Sequence, residues 1–365
     1  MRIATLQLAP KLGDVEGNIR RANELLQKGK VLGGVGVGVE ILKPEILVLP
    51  ELALTGYNFP SLEAIRPYLE HAGKGPSAAW AREAARRYRC KVCVGYPEVE
   101  EAGSSKQETY YNSLLVVDEN GEVIHNYRKT FLYYTDETWA TEGDAKRGFR
   151  ELAFGNQQEQ QYQVATSFGI CMDINPYKFA TPFTTCEFAN RVLDSKSQLV
   201  VLSMAWLTSM DREELDSLAG RPEMDTFNYW VQRFWPLLKK RLRHDVNFDG
   251  DDAETGKKTV IVFANRAGEE AGPEGTNPAL YAGTSAIVAV TQRPRPPSAD
   301  GETSAGDKIS QNGSEVDGLG DKDTLPFDVS ILCWDMMAAT AEGICFADTT
   351  MDPQMVFGLV KASSK

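Results

Sequence analysis

Ile3 to Leu8 alternates in the period-two manner of a strand. Beyond Asp14, a candidate helix cap, apolar residues return at Ile19, Ala22, Leu25 and Leu26, one face of an amphipathic helix. The run EILVL, Glu45 to Leu49, is continuously apolar, as in a strand buried on both faces, and it ends in Pro50-Glu51. Ser77 is the predicted cap of a second helix reaching about Arg89, with Trp80, Ala84 and Tyr88 on one side. Strands follow at Lys91–Gly95 and Ser113–Asp118. The turn Glu119-Asn120-Gly121 then opens a hairpin into Val123–Tyr127.

A further strand, Tyr162–Ser167, runs into Gly169-Ile170-Cys171. A helix to about Leu193 is expected after it, capped by Thr181 with Pro182 at its first position. Leu199–Ser203 is another buried-strand run. Pro222 to Leu242 carries Phe227, Val231, Phe234 and Leu238 at helical spacing, with a kink expected at Pro236. Val260–Ala264 and Ser285–Val290 complete the predicted strands. No repeat interrupts this alternation of strands and helices, which defines an α/β fold.

Two stretches depart from it. Residues 292–326 contain no aromatic side chain and are rich in Gly, Ser, Pro and Asp, which predicts a disordered insertion within one domain spanning 1–365. His244 to Lys258 reads as a polar acidic loop. Its Asp245, Asn247, Asp249 and Gly250 match the first half of a calcium loop, but Gly256 stands where a bidentate Glu is needed, so a solvated loop is the simpler expectation.

Composition narrows the classes of function. The 365 residues carry a formal charge of −12, which argues against a nucleic-acid or anionic-membrane partner. No stretch reaches the roughly 20 uncharged apolar residues of a membrane span. Six cysteines in a chain this long do not suggest a disulfide scaffold, so the expectation is a cytoplasmic protein with reduced thiols, the nucleus being a second compartment. Only three histidines are present, at 71, 125 and 244, too scattered for a His-rich metal site.

Chemistry is expected where ionisable residues follow apolar strands, the usual place for a site in α/β enzymes. Glu51, in LVLPELALTGY, is either solvated at the sheet edge or held in a pocket, where desolvation would suit it to act as a base. Lys129, in NYRKTFLYYTDETWATEG, ends a strand and is followed by Phe131, Tyr133, Tyr134 and Trp139. It is either a solvated strand end or an enclosed ammonium able to hold an oxyanion. Cys171, in SFGICMDINPY, sits where a strand meets a turn, like a nucleophile elbow; otherwise it is a buried small hydrophobe. Cys90 and Cys93 spell C-x-x-C but point opposite ways along a strand. Glu137 matters only if its turn folds over the cysteine.

Together, Glu51, Lys129 and Cys171 form a plausible machine. A carboxylate takes the thiol proton, a lysine steadies thiolate and oxyanion, and the thiol attacks an amide.

These motifs identify the chain as resembling the nitrilase superfamily of carbon–nitrogen hydrolases. PELALTGY is similar to the family's Glu motif, YRKTFL to its Lys motif and GICMD to its Cys motif, and FANRAG and YAGTSAI resemble later strands. The resemblance implies a four-layer α-β-β-α sandwich, a Glu-Lys-Cys triad and no cofactor or metal. It implies Glu51 as general base and acid, Lys129 as oxyanion stabiliser and Cys171 as nucleophile, with the N–H after Cys171 as a second oxyanion donor. Glu137 maps onto the family's second Glu, which orients the lysine.

FLYYTDETWATEG and GICMDINPYKF look most like the fungal amidohydrolases acting on protein N-terminal Asn and Gln, the first step of an N-degron pathway. That likeness implies peptide or protein partners with N-terminal Asn or Gln. It suggests Asp173 for the substrate α-ammonium, or alternatively for a structural hydrogen bond, and Tyr57 and Met172 as pocket residues. The rivals are an ω-amidase acting on small free amides and a catalytically silent binding module on the same fold. Superfamily members often pair through an outer helix layer, which the insertion could obstruct, so the oligomeric state is left open.

Overall fold

The computed structural model describes residues 1–102, 107–155, 161–244, 256–272, 278–294 and 327–358. Five helices and thirteen strands form its frame. The helices are α1 (Val15–Lys28), α2 (Pro76–Tyr88), α3 (Glu187–Asp194), α4 (Met224–Arg233) and α5 (Trp235–Lys239). The strands of the first half are β1 (Arg2–Gln7), β2 (Ile46–Val48), β3 (Lys91–Ala102), β4 (Gln107–Val117), β5 (Val123–Arg128) and β6 (Phe149–Phe154). The second half supplies β7 (Tyr162–Ile170), β8 (Leu199–Met204), β9 (Lys257–Asn265), β10 (Ala286–Pro294), β11 (Phe327–Met336), β12 (Gly343–Asp348) and β13 (Met355–Gly358).

Two sheets result, in the orders β12-β1-β2-β3-β4-β5 and β13-β11-β10-β9-β8-β7-β6. Period-two alternation sorts the first sheet's side chains between two cores. Ile3, Ile46, Val48, Cys93, Leu114 and Val116 face the second sheet. Their neighbours Ala4, Leu47, Val92, Val94, Leu115 and Val117 pack instead with α1 and α2 through Leu25, Leu26, Trp80 and Ala81. Strand β8 is buried throughout, and apolar but for Ser203, because it is covered on both sides, by the first sheet and by α3, α4 and α5. The layers are therefore helix, sheet, sheet, helix, as expected. Cys90 and Cys93 fall in opposite cores, as an offset of three along a strand requires, and all six cysteines are unpaired.

Several local expectations are corrected. Asp14 caps α1 through Gly17 N–H at 2.9 Å, but Ser77 does not cap α2. That helix starts two residues earlier than such a cap implies, on Pro76 after Gly75 at φ +95°, and the carboxylate of Glu70 supplies the acceptor for Ser77 N–H. Thr181 caps nothing: Pro182 is extended, a short turn follows, and Cys186 at φ +44° delays α3 until Glu187. The helical run from Pro222 divides at Phe234, just before Pro236, as that proline predicts.

Of the expected insertion 292–326, Gln292 to Pro294 belong to β10, with Arg293 and Pro294 paired to Asp328 and Phe327. Gln292 is held there because its amide bonds Leu237 O, Lys240 O and Leu242 N. Residues 295–326, and 245–255 with the calcium-like pattern, lie outside the described residues, whereas Lys257 and Lys258 open β9.

Candidate active site

Glu51, Lys129 and Cys171 each stand at or just beyond a strand end: three residues past β2, one past β5 and one past β7. The first two are fully buried and in direct contact, with Lys129 Nζ donating to Glu51 Oε1 at 2.6 Å. Asn112 Nδ2 donates to the same oxygen at 2.6 Å, and Ala205 N–H, just past β8, donates to Oε2 at 2.8 Å. The carboxylate is thus pinned from both sheets.

Cys171 has φ +42°, a left-handed conformation that a non-glycine residue adopts at a cost, as expected of a nucleophile elbow. Its residue is 8% exposed, and it lines an open cavity of about 410 Å³. That volume lies within the roughly 300–1,000 Å³ of small-ligand sites.

Electrostatics couple the three groups. Burial holds the Glu51 carboxyl above its ordinary range, opposed by Lys129 and reinforced by Asp136. Burial works against the charge on Lys129, but Asp136 and Glu51 outweigh it, so the ammonium is held more tightly than usual. The Cys171 thiol is pushed up by burial and by Glu51, against the pull of Lys129 and of Ala205 N–H. Burial thus raises both the Cys171 thiol and the Glu51 carboxyl, and Glu51 is the first charged group acting on the thiol.

The carboxylate that orients Lys129 is Asp136, and this corrects the expectation for Glu137. Lys129 Nζ lies 2.5 Å from Asp136 Oδ2, while Asp136 Oδ1 accepts from Asn112 Nδ2 at 2.9 Å. Asp136 begins a short 3₁₀ turn whose geometry aims it inward, where Oδ2 also accepts Tyr133 N–H at 2.9 Å. Glu137, one position on, is exposed.

Asp173 resolves to the structural alternative. Its two oxygens accept five hydrogen bonds, from Thr130 N–H, Thr130 Oγ1, Phe131 N–H, Tyr127 OH and Ile170 N–H, all between 2.7 and 2.9 Å. It is fully buried and does not line the cavity. It ties the lysine-bearing turn to the elbow, with no lone pair left for a substrate ammonium. Tyr57 and Met172 do line the cavity, and the Lys129 ammonium lies 5.6 Å from the Tyr57 ring centre.

Asn112 escaped the sequence reading, although a signal exists. It shares the face of β4 that carries Leu114 and Val116 toward the core, so an amide at that register is a polar residue aimed inward. Glu223 and Asp225 also line the cavity and were not expected. They are its only charged lining side chains among the described residues.

Comparison with known proteins agrees with this geometry. The carbon–nitrogen hydrolase family model matches residues 2–175. The protein N-terminal amidase of Schizosaccharomyces pombe is 34% identical over 80% of this chain and 92% of its own. That of Saccharomyces cerevisiae is 27% identical over 88% and 92%. Among solved structures, a crystal structure of an N-terminal amidase superposes with TM-score 0.68 at 23% identity, covering 99% of both chains. A crystal structure of an N-terminal amidase with an Asn-Glu peptide superposes at 0.66 and 23%, over 95% and 96%.

Proposed function

This chain belongs to the carbon–nitrogen hydrolase family, and on that premise we propose that it hydrolyses the side-chain amide of N-terminal Asn and Gln in peptides and proteins. The observation that carries the reading is a thiol beside a buried Glu–Lys pair in an open cavity whose charged lining is solely acidic among the described residues. Such a cavity suits an end group bearing a positive α-ammonium and a neutral amide, and its open mouth lets the rest of the peptide leave. It suits free ω-amide acids poorly, because no Lys or Arg among the described residues lines it to meet their carboxylates.

In this scheme Glu51 accepts the Cys171 proton as sulfur attacks the carboxamide carbon. The oxyanion is held by Lys129, which has one N–H left after Glu51 and Asp136, and by the N–H of Met172. Collapse breaks the C–N bond, Glu51 returns its proton to departing ammonia, and a thioester remains on Cys171. Glu51 then takes a proton from water, which attacks the thioester and releases the Asp or Glu peptide and the thiol. Asp136 orients the ammonium throughout.

The test is ammonia release from Asn- and Gln-peptides, their N-acetylated forms, free glutamine and α-ketoglutaramate. Free-amine peptides should be the best substrates. Equal rates on acetylated peptides, or a preference for the small amides, would overturn the reading.

A further inference from the structure

The cavity offers two carboxylates to a cationic ligand, and they are not equivalent. Asp225 is exposed, so an ion pair there would be made in high dielectric. Glu223 is 1% exposed, yet it lines the cavity that Cys171 shares. Its hydrogen bonding is sparse. Oε1 accepts Thr226 N–H at 2.8 Å, while among the described residues Oε2 has only Thr208 Oγ1 at the 3.5 Å limit. A carboxylate has about four acceptor sites, and Asp173 nearby shows what full satisfaction looks like, with five short bonds. Burial of a carboxylate with one good donor is costly unless a further donor arrives.

The same cavity has an aromatic wall. Trp206 and Tyr229 contact one another with ring centres 5.5 Å apart, and both line the cavity. A cation leaving water for this wall would meet ring faces and one under-satisfied carboxylate. The position is firmly held: Glu223 N–H donates to Thr284 Oγ1, and the side chain caps α4.

We propose that Glu223 is the acceptor for the substrate's α-ammonium and so sets the enzyme's requirement for a free N-terminus. This rests on the reading of the site as an N-terminal amidase. Bound there, the ammonium gives Oε2 the short charge-assisted bonds it lacks, and the side-chain amide is left to reach Cys171.

Glu223→Gln keeps a carbonyl oxygen to cap α4 while removing the charge. The assay compares kcat and KM for an Asn-peptide and for its desamino analogue, in which hydrogen replaces the α-amine. Wild type should favour the free amine by about a hundredfold in kcat/KM. In the variant that preference should collapse, mainly through a raised KM, with the desamino analogue turned over as before. The unchanged analogue rate doubles as the folding control. Asp225→Asn should alter the preference less than threefold.

A Glu223→Gln enzyme that still prefers the free amine as strongly as wild type would overturn the assignment to Glu223 alone. A wild type indifferent to the α-amine would instead overturn the functional reading beneath it.

Discussion

Lys129 and Asp136 form an ion pair at 2.5 Å in which neither side chain is exposed, and the same ammonium holds Glu51 at 2.6 Å. One cation thus sits between two carboxylates, and Asn112 bridges both from the other side. Positive charge is fixed beside Glu51 before any substrate enters.

Asp136→Asn should lower kcat about a hundredfold while changing KM little, because the ammonium loses one of its two anchors. Asp136 also raises the Glu51 carboxyl. Its removal should therefore move the acid limb of the pH–kcat/KM profile to lower pH, a shift that a merely structural loss would not produce. Glu137→Gln should stay within twofold of wild type.

Asp173→Asn should destabilise the fold by about 3 kcal/mol in chemical denaturation. An amide NH₂ would face donors where a carboxylate oxygen now accepts, leaving buried groups unpaired. KM for the peptide should change little in the folded fraction, since Asp173 does not itself line the cavity.

How much of this was legible in the sequence follows from what each residue depends on. Glu51, Lys129 and Cys171 were readable because each follows an apolar strand in a compact motif. The two-core alternation of the first sheet was also visible locally, as in Ile46, Leu47 and Val48. The choice between Asp136 and Glu137 was not, because it depends on which way one 3₁₀ turn is rotated by long-range contacts to Lys129 and Asn112. The role of Asp173 needed all five of its donors in place. Glu223 lies outside every motif and reaches the site only because α4 packs on the second sheet. Capping failed twice for a related reason: Glu70, from outside the helix, took the place of Ser77, and left-handed Cys186 delayed α3.

Gly95→Ala tests how closely the sheet supports the base. A Cβ there would meet Glu51 Cα at 2.8 Å and Leu52 N at 2.7 Å, both backbone atoms that cannot swing away. The loop would have to shift, so kcat should fall about ten- to a hundredfold, while the same variant's Cys171 still labels with iodoacetamide.

Glu70 sets a pH dependence of stability with the opposite sign to that of a salt-bridged acid. Burial pushes its carboxyl up to about 7 from the ordinary 4.5, against hydrogen bonds from Ser77. Between those values the folded chain keeps a proton that the unfolded chain has released. The resulting stability is complete below the unfolded value and is lost as pH rises through about 7. Relative to Glu70→Gln, wild type should lose about 3 kcal/mol between acid and slightly alkaline pH in urea denaturation. A flat difference would refute the assignment.

If the sulfur of Cys171 is the nucleophile, ammonia release stops when Cys171→Ala removes it. The alanine variant should release ammonia from Asn-peptide at least about 10⁴-fold more slowly than wild type, with an unchanged unfolding transition. A correctly folded alanine variant that still releases ammonia within tenfold of wild type would contradict it.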